Sequence, residues 1–589
     1  MSFSLRFVQN LPRFVFFTGK GGVGKTSLAC ATAVHLADAG QRVLLVSTDP
    51  ASNVGQVFGM GIGNTVTAVT DVPGLSALEI DPEQAAQAYR EKIIGPVRDL
   101  LPAAEIAAIT EQLSGSCTTE IASFNEFTSL LADDASTAAY DHVLFDTAPT
   151  GHTIRLLQLP GEWTEFLNEG KGDASCLGPM AGLDRARATY ATALHRLADP
   201  ALTRMVLVAR PQDSSLAEVA RTGDELAQIG ITAQFLVVNA VLPADESGDP
   251  LVTAIRAREA HAMDSLPAGV ASLPRDVITL RPDTMVGVPA LRALLADPGQ
   301  SGAPPATRPT PASASPAGLE VLLDELARGD HGLVMCIGKG GVGKTTVAAA
   351  IAVALAGRGH EVLLTTTDPA AHLNETLAEQ VPGITVSKID PHSATAQYRQ
   401  KVMATKGAGL DEAGRARLAE DLLSPCTEEV AVFQQFSHLV HQARRQFVVM
   451  DTAPTGHTLL LMDATGSYHR DVVRSMGDRG SYTTPLMRLQ DPDLTKVVIV
   501  TLPDTTPVLE AEALQGDLQR AGIHPWAWVV NASLDAAAPS SPLLAHRAAA
   551  EAAHLDRVRE LAPRTAVVPL RATEPVGAAE LQSLIPQPA

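Results

Sequence analysis

Five cysteines in 589 residues, with no two in a C-x-x-C pair, are too few and too scattered for a disulfide framework or a zinc ribbon. Their value is as separate thiols. Long apolar runs are missing too: none approaches the roughly 18 residues needed to cross a bilayer, and the longest, such as residues 497–502, have the length of a strand. Residues 1–18 lack a charged segment followed by an uninterrupted apolar one and a cleavage site, so no secretory signal is apparent. A cytoplasmic location is expected, with any membrane association peripheral and through a partner. Positive charge is scarce: 45 Lys and Arg face 65 Asp and Glu, a formal charge of −20, which opposes binding to nucleic acid or anionic lipid. Nucleic acid is therefore not an expected partner. What remains is an ordinary globular composition, 46% hydrophobic, in a chain too long for one core; at least two large domains follow.

Laid on itself at a spacing of roughly 300 residues, the sequence repeats. FTGKGGVGKTS around Gly19 returns as CIGKGGVGKTT around Gly338, and VLLVSTDPAS at Asp49 as VLLTTTDPAA at Asp368. LEIDPEQAAQAYR matches SKIDPHSATAQYR, and SGSCTTEIASFNEF at Cys117 matches LSPCTEEVAVFQQF at Cys426. DTAPTGHT recurs unchanged at Asp146 and Asp451, and VVNA closes the series at Asn239 and Asn531. Collinear order over so many blocks divides the chain into halves, 1–297 and 319–589. Between them residues 298–318, rich in Pro, Ala and Ser, read as a semi-extended tether. If extended it spans roughly 60 Å at about 3.1 Å per residue, enough for the halves to form an intramolecular pseudo-dimer.

Within each half an apolar run feeds a Gly-rich loop, then an Ala-rich amphipathic stretch (27–39 and 346–357), then another apolar run (43–46 and 362–364), which reads as strand, loop, helix, strand. Further strand-like runs lie at 143–145, 205–208 and 235–238, with equivalents at 447–450, 497–500 and 528–530. The expected fold is α/β: two tandem P-loop NTPase domains with mainly parallel sheets flanked by helices. Residues 81–139 have helical period and no strong strand, which predicts a helical subdomain inserted in each half, within about 81–200 and 390–490. Asp81-Pro82 and Asp390-Pro391 read as helix starts, an N-cap followed by Pro.

Residues 19–26 and 338–345 both satisfy G-x-x-x-x-G-K-[ST] between strand and helix. Gly19, Gly21, Gly22 and Gly24, like Gly338, Gly340, Gly341 and Gly343, let backbone N–H groups wrap phosphate at a helix N-terminus, with Ser27 and Thr346 next in line. Lys25 and Lys344 would neutralise the β and γ phosphates of ATP, and Thr26 and Thr345 would ligate Mg²⁺. Each loop carries a further lysine after its first glycine, Lys20 and Lys339. This GKGGVGKT form resembles the deviant Walker A ATPases, which include nitrogenase iron protein, partition ATPases, tail-anchored-protein targeting ATPases and arsenite-pump ATPases. The resemblance implies that Lys20 acts on the second site and Lys339 on the first. It also implies that Asp49 and Asp368 orient the attacking water, that Asp146 and Asp451 sit near Mg²⁺, and that Asn239 and Asn531 read adenine. Read from the residues alone, an Asp after a strand is often a turn or cap residue, a reading that recurrence of the whole phrase weakens, and a turn-forming Asn competes at Asn239 and Asn531.

Duplication and cysteine placement select among these relatives, and the resemblance to the arsenite-pump ATPases covers essentially the whole chain. Cys117 and Cys426 occupy equivalent repeat positions and Cys176 is present in the first half alone; the resemblance makes these three the metalloid ligands. Thiolates are soft donors that suit trivalent arsenic or antimony. Cys30 and Cys336, in the apolar helix and strand beside a P-loop, read as core residues. His152, His457 and Ser424 match positions of possible accessory ligands, and the histidines can equally couple the DTAPTGHT segment to the helical subdomain. The implied function is a metalloid-stimulated ATPase that binds arsenite or antimonite and drives its export through a membrane carrier subunit, with a metallochaperone as a possible donor. A protein-cargo carrier resembling the tail-anchored-protein targeting ATPases is the alternative, disfavoured by the missing C-x-x-C.

Overall fold

The computed structural model describes residues 5–48, 54–98, 116–147, 183–297, 317–368, 373–423, 426–452 and 484–585, with parts of 102–113. The chain packs as two compact units, Met1–Ala244 with Arg256–Ala303, and Asp245–Ile255 with Pro304–Ala589.

In the first unit β1 (Phe14–Thr18), β2 (Val43–Ser47), β3 (Thr67–Ala68), β4 (Leu75–Glu79), β5 (His142–Asp146), β6 (Thr203–Ala209), β7 (Gln234–Val241) and β8 (Arg275–Thr279) form one sheet. Its order is β3-β4-β2-β5-β1-β6-β7-β8. Every pairing is parallel except β3 with β4. The central strands are buried on both faces, which is why they read as unbroken apolar runs. Successive residues face opposite sides: Phe16 enters one core with Phe145 and Leu216, while Val15 and Phe17 enter the other with Leu28 and Leu144. The Ala-rich helix α1 (Lys25–Asp38) lies over the second core. The inserted helices are α2 (Pro82–Ile94) and α3 (Ser116–Ala132), and α4 (Leu183–Ala198) and α5 (Asp213–Gln228) flank β6 in sequence. Asp81 caps α2 through Glu83 N at 2.9 Å and Gln84 N at 3.1 Å, with Pro82 first in the helix.

The second unit repeats the plan. β9 (Gly332–Ile337), β10 (Val362–Thr366), β11 (Ile384–Lys388), β12 (Phe447–Asp451), β13 (Thr495–Thr501), β14 (Ala527–Ser533) and β15 (Thr565–Pro569) are ordered β11-β10-β12-β9-β13-β14-β15, all parallel. The helices α6 (Lys344–Gly357), α7 (Pro391–Thr405), α9 (Cys426–Gln442) and α10 (Thr505–Arg520) correspond to α1, α2, α3 and α5, and α8 (Glu412–Asp421) lies between α7 and α9. Asp390 caps α7 through Ser393 N at 3.2 Å. The expected parallel α/β halves with inserted helices are what the chain forms. Five of the described strands escaped the sequence reading: β3, β4 and β11 toward one side of each sheet, β8 and β15 at the other edge.

Candidate functional site

Each P-loop turns from the central strand of its sheet into the helix that follows, which places it at the carboxyl ends of the strands, where open α/β sheets bind ligands. Gly24 and Gly343, the residues before α1 and α6, have φ of +94° and +90°, in the left-handed region. A Cβ at these positions would lie 2.3 Å from Asn239 Nδ2 and 2.0 Å from Asn531 Nδ2. Glycine is therefore required both by conformation and by the close approach of the asparagine.

Strand order explains how residues far apart in sequence meet. β5 pairs with β1 so that Asp146 stands beside Phe17, and β12 pairs with β9 so that Asp451 stands beside Cys336. The hydroxyl of Thr26 donates to Asp146 Oδ2 at 2.8 Å, and that of Thr345 donates to Asp451 Oδ2 at 2.8 Å. Thr366 Oγ1 donates to the same Asp451 oxygen at 3.3 Å. A hydroxyl whose proton is committed to a carboxylate presents its lone pairs elsewhere, the state a metal ligand needs. Asp451 is buried, and its Oδ1 has no hydrogen-bond partner among the described residues. Burial pushes its pKa up to about 6, while Lys344 and the two threonine hydroxyls pull the other way. Hydroxyl and carboxylate oxygens with an unsatisfied buried lone pair form a hard donor set that fits Mg²⁺.

The P-loop lysines Lys25 and Lys344 are buried, and their ammonium groups donate to the backbone carbonyls of Lys20 at 3.1 Å and Lys339 at 2.9 Å. Ser27 and Thr346 are the third residues of α1 and α6 and half-buried. Asn239 and Asn531 lie in β7 and β14, so they are not turn residues; their Nδ2 atoms donate to Val23 O at 2.8 Å and Val342 O at 2.9 Å, tying sheet to P-loop. The residues that follow, Ala240 and Ala532, have φ of +59° and +53° where the strand registers shift. Non-glycine residues in that region cost about 1–2 kcal/mol each, and the same strained step follows the asparagine of each unit. Asp368 N donates to Thr366 Oγ1 at 3.0 Å at the end of β10, and the charge of Asp368 is felt by Asp451.

Two carboxylates that motif reading missed also belong here. Glu218 in α5 pairs with Lys20 at 3.5 Å, and Glu510 in α10 pairs with Lys339. The signal for them lay in self-comparison: each is the sixth residue of its helix.

Cys30 and Cys336 are fully buried, in α1 and β9. Burial raises both thiols well above the ordinary range, and the charges of Asp146 and Asp451 add to it. Neither is disposed to ionise, which fits their reading as core residues. Cys117 is the second residue of α3 and Cys426 the first of α9, so equivalent helices start at equivalent cysteines. Cys176, His152, His457, Ser424 and Asp49 lie outside the described residues. Among the described residues no helix is long and apolar enough to cross a membrane.

Similarity to known proteins runs along nearly the whole chain. The family model for anion-transporting ATPases matches residues 12–297, 331–490 and 481–587. An arsenical pump-driving ATPase of Acidiphilium multivorum is 58% identical over 99% of this chain and 100% of its own length. One from Escherichia coli is also 58% identical, with the same coverage of both chains. The ATPase GET3 of Lachancea thermotolerans is 31% identical over 40% of this chain and 74% of its own length.

Proposed function

We propose that this chain, which belongs to the anion-transporting ATPase family and is an ATP-hydrolysing enzyme, drives an arsenical pump as a metalloid-stimulated ATPase. The similarity to arsenical pump-driving ATPases spans nearly every residue of both chains, whereas the likeness to a GET3 ATPase stops at 40% of this chain. The observation that carries the reading is this end-to-end match combined with two complete sets of phosphate-site residues.

In each unit the P-loop N–H groups and the buried lysine, Lys25 or Lys344, would hold the β and γ phosphates of ATP. Thr26 with Asp146, and Thr345 with Asp451, would hold Mg²⁺, which when bound neutralises charge on the phosphates. Asp49 and Asp368 would orient the attacking water, and Asn239 and Asn531 would contact adenine. Lys20 and Lys339 would act on the nucleotide of the opposite repeat. Cys117, Cys176 and Cys426 would bind arsenite or antimonite as three soft sulfur donors, with His152, His457 and Ser424 as accessory candidates. A membrane carrier subunit would receive the ion, delivered in some settings by a metallochaperone.

The test is ATP hydrolysis with and without arsenite or antimonite, in the unaltered chain and in single Cys→Ser variants. Stimulation should be lost with Cys117→Ser, Cys176→Ser or Cys426→Ser and kept with Cys30→Ser or Cys336→Ser. A rate indifferent to both ions would favour the protein-cargo alternative.

A further inference from the structure

We propose that Glu218 and Glu510 are positioning residues that anchor the extra lysines, Lys20 and Lys339, each within its own unit, so that breaking the ion pair gates delivery of the ammonium to phosphate. The inference deepens the reading above, since it takes these lysines to serve ATP hydrolysis.

The pairs are built from unequal members. The side chain of Glu218 is 13% exposed and that of Glu510 9%, against 39% for Lys20 and 19% for Lys339. Each carboxylate projects from a regular helix, α5 or α10, whose neighbouring residues Leu216 and Val219, or Val508 and Ala511, are in the core. The anchor is thus fixed. The backbone of each lysine is also held, because its carbonyl accepts from Lys25 or Lys344. The movable part is the four-carbon lysine stem, which can swing between the glutamate and another anion. A largely buried carboxylate deprived of its cation is unfavourable, so the glutamate favours return of the lysine after each excursion.

Repetition supplies independent support. Aligned through Asn239 and Asn531, the 16-residue helices α5 and α10 have diverged until Glu218/Glu510 and Leu226/Leu518 are the only identical pairs. Leu226 and Leu518 are buried core residues, 1% and 0% exposed, and packing accounts for them. No core role accounts for a charged residue kept at the sixth position of both helices. Its common feature is the lysine it meets.

The experiment uses the full chain with Glu218→Gln, Glu510→Gln and, as the charge-retaining variant, Glu218→Asp. Two readouts are taken: the rate at which a small acylating reagent modifies Lys20 and Lys339, measured by peptide mass spectrometry without nucleotide, and ATP turnover without metalloid. Loss of a partly exposed ion pair should raise the modification rate about two- to fivefold. In Glu218→Gln the rise should be confined to Lys20, and in Glu510→Gln to Lys339, with Glu218→Asp intermediate. Basal turnover should rise by a similar factor. Unchanged modification, or an equal rise at both lysines in each variant, overturns the anchoring. A selective rise in modification with unchanged turnover upholds the anchoring and instead removes these lysines from hydrolysis, so the two readings fail separately.

Discussion

At the scale of single residues the site is governed by close approach and by one buried charge. Gly24 has no room for a Cβ because Asn239 Nδ2 already lies where its hydrogens would be, 2.3 Å away. Gly24→Ala should therefore force Asn239 off Val23 O and weaken ATP binding at the first site by about tenfold or more, given a left-handed penalty of about 1–2 kcal/mol before any clash. Asn239→Ala removes the obstacle, so the double variant should bind better than the sum of the single losses predicts. A double-mutant cycle on ATP affinity, with Lys344→Ala silencing the second site, measures the coupling, and strict additivity would contradict the described contact. Asp451 carries the pH dependence. Its folded-state pKa of about 6 lies above the ordinary carboxylate value, so the folded chain holds the proton more tightly than the unfolded one. The burial penalty is absent in acid, grows as pH rises through about 4 to 6, and is complete above that. Asp451→Asn should accordingly stabilise the second unit above pH 7 by up to about 3 kcal/mol while abolishing its Mg²⁺-dependent turnover. Chemical unfolding at pH 8 and pH 4 should show the gap between variant and parent shrinking in acid; a gap independent of pH would assign the effect elsewhere.

At the scale of elements, α3 is keyed to the sheet by an aromatic cluster. Phe16 and Phe145 stack at 4.5 Å, and Phe127 of α3 meets both edge-on at 6.0 and 5.4 Å. Phe16 lies in the strand leading to the first P-loop, Phe145 precedes Asp146, and Phe127 rides on the helix that begins beside Cys117. The equivalent positions in the second unit are Met335, Met450 and Phe436, all buried, so the rigid stack is a property of the first. Phe127→Leu should cost about 0.5–1.5 kcal/mol of aromatic contact and lower the ratio of arsenite-stimulated to basal ATPase, whereas Phe436→Leu, against adaptable methionines, should lower it less. Equal ratios in the parent and both variants would remove this cluster from the coupling path. Legibility in the sequence followed the same physics. Strands buried on both faces, such as β1, β6 and β13, were plain as apolar runs, and α1 and α6 as Ala-rich stretches. β11, with exposed Thr385 and Lys388, and β8, with exposed Arg275 and Val277, were not, because an edge strand has one wet side and needs no continuous run. The phosphate residues were legible because the P-loop is local. Glu218 and Glu510 were not, since their lysines are brought near only by the parallel pairing of β1 with β6 and of β9 with β13.

At the scale of the whole molecule, the proposed metalloid ligands are drawn from both repeats: Cys117 and Cys176 from the first, Cys426 from the second. An ion that takes all three favours only those conformations in which they can share it, and it shifts the population toward them by its preference for that state. Duplication inside one chain removes the need for two subunits to find each other, so the response to the ion should not depend on protein concentration. If the conformations favoured by the ion are those in which ATP is hydrolysed, the ion accelerates turnover without touching phosphate. Linkage then requires the converse: MgATP must tighten the ion by the same free energy. Coupling of the usual size implies roughly five- to 150-fold. Arsenite affinity should therefore be measured with and without MgATP in an Asp49→Asn, Asp368→Asn chain, after direct titration confirms that it still binds nucleotide. Tightening of at least about fivefold is expected, and it should vanish in Cys426→Ser, where the ion is left with thiols of one repeat. Equal affinities with and without nucleotide, in a chain whose unaltered form hydrolyses ATP at a rate indifferent to arsenite, would exclude the coupled pump and leave a carrier of protein cargo, whose apolar client rather than a metalloid would have to shift the same equilibrium.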